Sequence, residues 1–241
     1  DIKEKAPDYP TESFQFTPSI KGQICVQPTN GVSFFRTLID TASIQNHPYY
    51  HWFVGLLTSM GAGKKLDFRK LETSINLYTG GLSSNHHLSE HYADLKVLKQ
   101  GLLLSSRCLE RNSEKMFELW SEIFNHAFTN IDDEEMKARL GNLINMSATD
   151  SMNGLAYSGH HYAMSHAASQ LYSELPATKI RELEGGIASL RAVNKLALSI
   201  GSGNEQVLDE ILSDLSSMAR TVLNAQNVES VSLSSTEAHM K

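Results

Sequence analysis

A long helical block set between strand signals is the feature that most restricts this chain. From Asn112 to about residue 223, apolar residues recur at helical spacing: Met116, Leu119, Trp120, Ile123 and Phe124, then Met136, Leu140, Leu143 and Ile144. Strand-like runs stand before the block, at Ile24-Cys25-Val26-Gln27, at residues 32–39 and at residues 101–109, and one follows it at residues 228–233. A chain ordered this way has to cover a sheet with helices. The expected class is therefore α+β, a mostly antiparallel sheet packed against helices.

Local signals divide the chain further. Pro28-Thr29-Asn30-Gly31 carries the Asn-Gly hairpin signature, which predicts that the strands on either side of it pair. Val32, Phe34 and Leu38 on one face and Phe35 and Ile39 on the other predict an inner strand. Asn46 is a candidate N-cap with Pro48 in the first turn, ahead of Tyr49, Trp52, Phe53, Leu56, Leu57 and Met60. Gly61-Ala62-Gly63 ends that helix. A second runs from Asp67 to Gly80-Gly81. Residues 82–109 fit either period as far as Leu98, because Leu88, Tyr92, Leu95 and Leu98 make a helical stripe while Ala93, Leu95 and Val97 alternate. Asp132 with Glu135 opens a helix that continues or breaks near Gly154 and Gly159. Pro176 closes that segment, and two helices follow at about 179–199 and 204–223. Residues 1–19, with Pro7, Pro10 and Pro18, read as a linker, and residues 20–241 as one domain.

Composition excludes some roles. With 41% hydrophobic residues a real core is available. No apolar run approaches the ~18 residues of a membrane span. A net charge of −6 without a basic cluster argues against a nucleic-acid partner. Cys25 and Cys108 make neither a disulfide framework nor a zinc knuckle, and read as buried reduced thiols. The sequence starts at Asp1 without an initiator Met or targeting segment, as if cut from something longer.

One motif carries possible chemistry. His87-Leu88-Ser89-Glu90-His91 reads H-x-x-E-H, the inverted zinc-hydrolase pattern. On a helix, His87 and His91 would lie about 5–6 Å apart at Cβ and converge on one Zn²⁺, with Glu90 as general base on its water. On a strand the same residues lie ~13 Å apart and cannot share an ion. A third ligand would also be needed, and Glu174 and Glu182 are available. His47 and His51 form another pair four apart, read as ordinary rather than ligating. Gly61-Ala62-Gly63-Lys64-Lys65 fails the phosphate-loop pattern, because Thr58 replaces its first Gly and Lys65 its Ser/Thr. His160, His161 and His166 read as ordinary helix residues.

Four stretches together resemble the presequence-degrading branch of the pitrilysin and insulin-degrading-enzyme superfamily. They are Gln27-Pro28-Thr29-Asn30-Gly31, Tyr78-Thr79-Gly80-Gly81-Leu82-Ser83, Leu103 to Asn112 leading into Leu119-Trp120-Ser121-Glu122-Ile123-Phe124, and Asn153-Gly154 with Ser158-Gly159-His160-His161-Tyr162-Ala163. The resemblance covers roughly residues 18–241. It implies the third of four homologous α+β domains that close around a peptide chamber. In that family the zinc motif lies on the helix after the opening strands of the first domain. The matching place here, Asn46-His47-Pro48-Tyr49-Tyr50-His51, keeps two histidines but lacks the Glu. The resemblance therefore implies a catalytically silent domain without catalytic or metal residues. It would belong to a zinc endopeptidase of the mitochondrial matrix whose partners are unfolded peptides and the enzyme's other domains. The alternative is a self-contained zinc peptidase using His87, Glu90 and His91.

Overall fold

The computed structural model describes residues 11–15, 17–18, 20–204 and 206–236. Its elements run β1 (Thr11–Gln15), β2 (Lys21–Val26), β3 (Val32–Asp40), α1 (Tyr50–Leu56), α2 (Phe68–Tyr78), β4 (Leu82–His91), β5 (Asp94–Leu109), α3 (Ser113–His126), α4 (Glu134–Leu171), α5 (Pro176–Gly185), α6 (Ile187–Gly201), α7 (Gln206–Val222) and β6 (Val228–Ser235). The strands form one sheet in the order β1-β2-β6-β3-β5-β4. The β2–β6 pair is parallel and the other neighbours are antiparallel, so the α+β expectation holds.

Alternation along the inner strands decides which face the helices cover. Ser33, Thr37 and Ile39 of β3 are buried, while Phe34 between them is 41% exposed on the other face. Leu102 and Leu104 of β5 join Ile39 under the helices, against Phe53, Leu57, Met116, Ile123, Ile211 and Leu215, all at 0% exposure. Each such side chain contributes about 1.5–3 kcal/mol by leaving water. Several polar atoms in this layer are paired. Trp120 Nε1 donates to Ser106 Oγ at 2.8 Å, and the Ser33 and Ser235 hydroxyls meet at 2.9 Å.

Several local expectations hold. Asp67 caps α2, accepting from the Lys70 N–H at 3.0 Å. Residues 82–109, which fit either period as far as Leu98, form the β4–β5 hairpin. Gly61 has φ +83, and the space a Cβ would need there is taken by Leu66 O and Phe68 N, so it serves a tight turn.

Other expectations need correction. The Asn30-Gly31 turn forms, with φ 52 and 79, yet β2 and β3 do not pair because β6 lies between them. The connecting loop steps over the end of β6, where Gln27 N donates to Ser235 O at 3.1 Å. Turn chemistry fixes a chain reversal, but not which strand becomes the neighbour. Strand β1 falls inside the expected linker. With Phe14 as its one apolar residue it shows no alternation, and it owes its conformation to the ladder with β2. Pro7 and Pro10 lie outside the described residues. Helix α1 starts at Tyr50 rather than beside Asn46, and no side chain caps it. Asp133 rather than Asp132 caps α4, which runs unbroken for 38 residues past Gly154 and Gly159. Pro176 stands in the first turn of α5, where its missing N–H costs nothing. The expected helix over 179–199 divides at Gly185 and Gly186, where Gly186 takes an extended conformation and a Cβ would collide with the Glu182 side chain. Cys25 is half-buried and Cys108 buried, both as free thiols.

Candidate functional site

His87, Glu90 and His91 lie on β4, not on a helix. The ladder pairs His87 with Gly101 and Glu90 with Leu98 along an extended backbone. Strand alternation puts His87 and Glu90 on opposite faces, and ~13 Å of extended chain separates positions 87 and 91. Each residue has other contacts. Glu90 Oε2 accepts from Arg181 at 3.3 Å, and His91 Nδ1 accepts from the Ala93 N–H at 3.3 Å. Of the two candidate third ligands, Glu174 meets Lys96 Nζ at 3.0 Å and Glu182 is enclosed by helix residues. No group of three or more His, Cys, Asp or Glu among the described residues could hold a metal ion. The extended backbone therefore keeps His87 and His91 from sharing one ion.

The other histidines are also placed. His47 precedes α1; its Nδ1 accepts from the Tyr49 N–H at 3.2 Å, and its Nε2 lies 3.7 Å from Asp214. His160 and His161 are exposed neighbours on α4, with ring centroids 4.0 Å apart. His166 Nδ1 lies 3.1 Å from Glu182 Oε1.

What the fold does gather is a set the sequence did not point to: His51 from α1, His86 from β4 and Glu184 from α5. His86 Nδ1 and Glu184 Oε1 are 3.0 Å apart, but Nδ1 makes no aligned hydrogen bond. The His86 ring meets the Tyr50 ring edge-on at 5.0 Å, and Tyr50 shares a 2.8 Å hydrogen bond with Thr41. His51 Nε2 is buried without a hydrogen-bond partner among the described residues. Burial pushes His86 down to about 4, with His51 adding to the effect. Burial also lowers His51, and it raises Glu184 against the opposing pull of Arg181. With His86 lowered to about 4 its imidazole is uncharged at neutral pH, so the short separation is not an ion pair there.

Two cavities of about 380 and 390 Å³ flank this cluster, and His51 and Glu184 line both. Each falls within the ~300–1,000 Å³ range of small-ligand clefts. Glu182, two residues earlier on α5, behaves differently. It accepts from Ser165 Oγ at 3.1 Å and the Ala188 N–H at 3.3 Å, besides its contact with His166. Burial raises its pKa, but these hydrogen bonds outweigh that and hold it below the usual carboxylate value. No local pattern joins positions 51, 86 and 184. The only available signal was the Gly185-Gly186 break after Glu184.

The chain is 38% identical over 208 residues to a mitochondrial presequence protease of Danio rerio, and 33% identical over 208 residues to that of Mus musculus. Each alignment covers 86% of this chain and 19% of the relative, so the chain spans about a fifth of their length. In fold it is similar to the crystal structure of a peptidase M16 inactive domain from Pseudomonas fluorescens, with a TM-score of 0.56, 14% identity, and coverage of 93% of this chain and 46% of that one. The family model for the region associated with subfamily C of peptidase M16 matches residues 1–196, and the chain belongs to that family.

Proposed function

We propose that this chain is a non-catalytic unit of a longer zinc endopeptidase and forms part of the wall of its peptide chamber. In this reading, residues 20–241 together with β1 act as one domain. Zinc and its ligands belong to another part of the enzyme. The partners are unfolded peptides, targeting presequences among them, and the enzyme's other domains. The compartment is the mitochondrial matrix. One observation carries the reading: the motif that would bind zinc lies on an extended strand, while the pair His47 and His51 has no Glu beside it. The names of the relatives support the peptide substrates and the mitochondrial setting.

The test is a zinc titration of the chain with a fluorogenic peptide. The expected outcome is no zinc-dependent cleavage and no stoichiometric zinc. Zinc-dependent cleavage abolished by Glu90→Gln would overturn the proposal.

A further inference from the structure

Glu184 sets a carboxylate in a cleft where its nearest permanent cation, Arg181, is itself engaged by Glu90. The close polar contact of its side chain among the described residues is His86 Nδ1 at 3.0 Å, which is not aligned as a hydrogen bond, whereas Glu182 nearby accepts several. The groups facing it come from three elements. Helix α1 presents Tyr50 and His51, β4 presents His86, and α5 presents Arg181. Both imidazoles are neutral at pH 7, because burial lowers them. Arg181 is the one permanent cation in this set, and it lies 3.3 Å from Glu90.

The lining adds a second, independent observation. Ser151 Oγ donates to Ser147 O at 2.7 Å, and Ser189 Oγ donates to Glu184 O at 3.1 Å. Both hydroxyls have spent their hydrogen on the backbone and offer the cavity lone pairs only. Trp52 and Tyr162 supply aromatic surface to the same cavity. Acceptors, a carboxylate and aromatic rings suit a ligand that is cationic and rich in donors.

We propose that the cleft between α1, α4 and the α5–α6 corner binds a basic group, an alkylguanidinium or alkylammonium, through Glu184. A guanidinium fits best, since its planar fork can meet the carboxylate while its other N–H groups reach the serine oxygens. The inference rests on the chamber-wall reading only for the source of the group, a basic side chain of a bound peptide. A free cationic small molecule carries the same chemistry.

The experiment follows the histidine imidazole signals of the chain by NMR at pH 7. Three probes are titrated: N-acetyl-arginine amide, a short peptide carrying one arginine, and the same peptide with citrulline, which keeps the shape and loses the charge. Both arginine probes are expected to shift the His51 and His86 signals. Glu184→Gln is expected to weaken binding by about tenfold or more, the size of one charge-assisted hydrogen-bonded contact. Glu174→Gln, a carboxylate paired on the surface with Lys96, is expected to leave it unchanged. Circular dichroism checks that both variants fold. Equal binding of the citrulline peptide, or no effect of Glu184→Gln, overturns the inference and leaves the chamber-wall reading standing. Binding of the arginine amide with no response to either peptide supports the cleft and counts against that reading. No response to any probe overturns the inference.

Discussion

The two halves of α4 are one helix in two environments. In the first half, Met136, Leu140, Ile144 and Ala148 recur every four residues and are buried, while Glu134, Glu135 and Asn142 face out. In the second half the pattern inverts. The positions packed toward α5 and α6 are small or polar, among them Ser151, Ser158, Ser165 and Ser169. Tyr157, Met164 and Leu171 point away, at 86%, 64% and 75% exposure. The serines are tolerated inside because their hydroxyls have partners: Ser151 on Ser147 O, Ser165 on Glu182 and Ser169 on His166 O. The contrast shows what apolar spacing conveys. It marks residues that favour burial, but the surface that buries them need not belong to the described residues.

Substitutions can break or sharpen this contrast. The largest effect is expected in the first half, where Leu140→Ala should cost about 2–5 kcal/mol, read as a shift in urea midpoint. Met164→Ala in the second half should stay within about 0.5 kcal/mol by the same measurement. Equal losses at both positions would mean that the second half is packed more tightly than its exposure implies.

The two carboxylates of α5 give a smaller contrast. Glu182→Ala strips a buried acceptor from Ser165 and the Ala188 N–H and should cost about 1–3 kcal/mol in chemical denaturation. Glu184→Gln should cost less or stabilise, since it removes a desolvated charge that has no aligned hydrogen bond.

Acidification separates the same groups. His86 stays neutral in the folded chain down to about 4, against an ordinary value of 6.5. The unfolded chain therefore takes up the proton first, and stability is lost as pH falls from 6.5 toward 4. His51 acts in the same direction. Glu184, raised by burial, binds its proton earlier in the folded state and offsets part of the loss. Melting temperatures measured from about pH 7 to about pH 4.5 should fall less in His86→Gln and more in Glu184→Gln than in the parent chain. The smallest effect is expected at the surface, where Glu174→Gln should change stability by less than about 0.5 kcal/mol.

Much of the fold could be read from local chemistry. Asp67 as a cap and the alternation of β3 each reflect forces that act within a few residues. Neighbour choice in the sheet could not, because nothing near Asn30-Gly31 reveals that a strand about two hundred residues later will enter between β2 and β3. His87-Leu88-Ser89-Glu90-His91 shows the converse: five matching letters imply a site only if the backbone coils, and here it pairs with β5. The cluster of His51, His86 and Glu184 was hidden for a different reason. It exists because the helical run breaks at Gly185-Gly186, and a sequence read as one continuous helix over 179–199 does not suggest that corner.

The place of β6 has a further consequence for how the molecule is made. The ladder that joins β1 and β2 to the remaining strands passes through residues 228–235. Until residues 228–235 have left the ribosome, β1 and β2 have no seat beside β3, and the sheet stays in two parts. Closure waits on contacts of the longest sequence separation, a slow kind of step. A chain that stops at residue 223 would keep its helical layer and β3–β5–β4, yet leave its first strands with nothing to join.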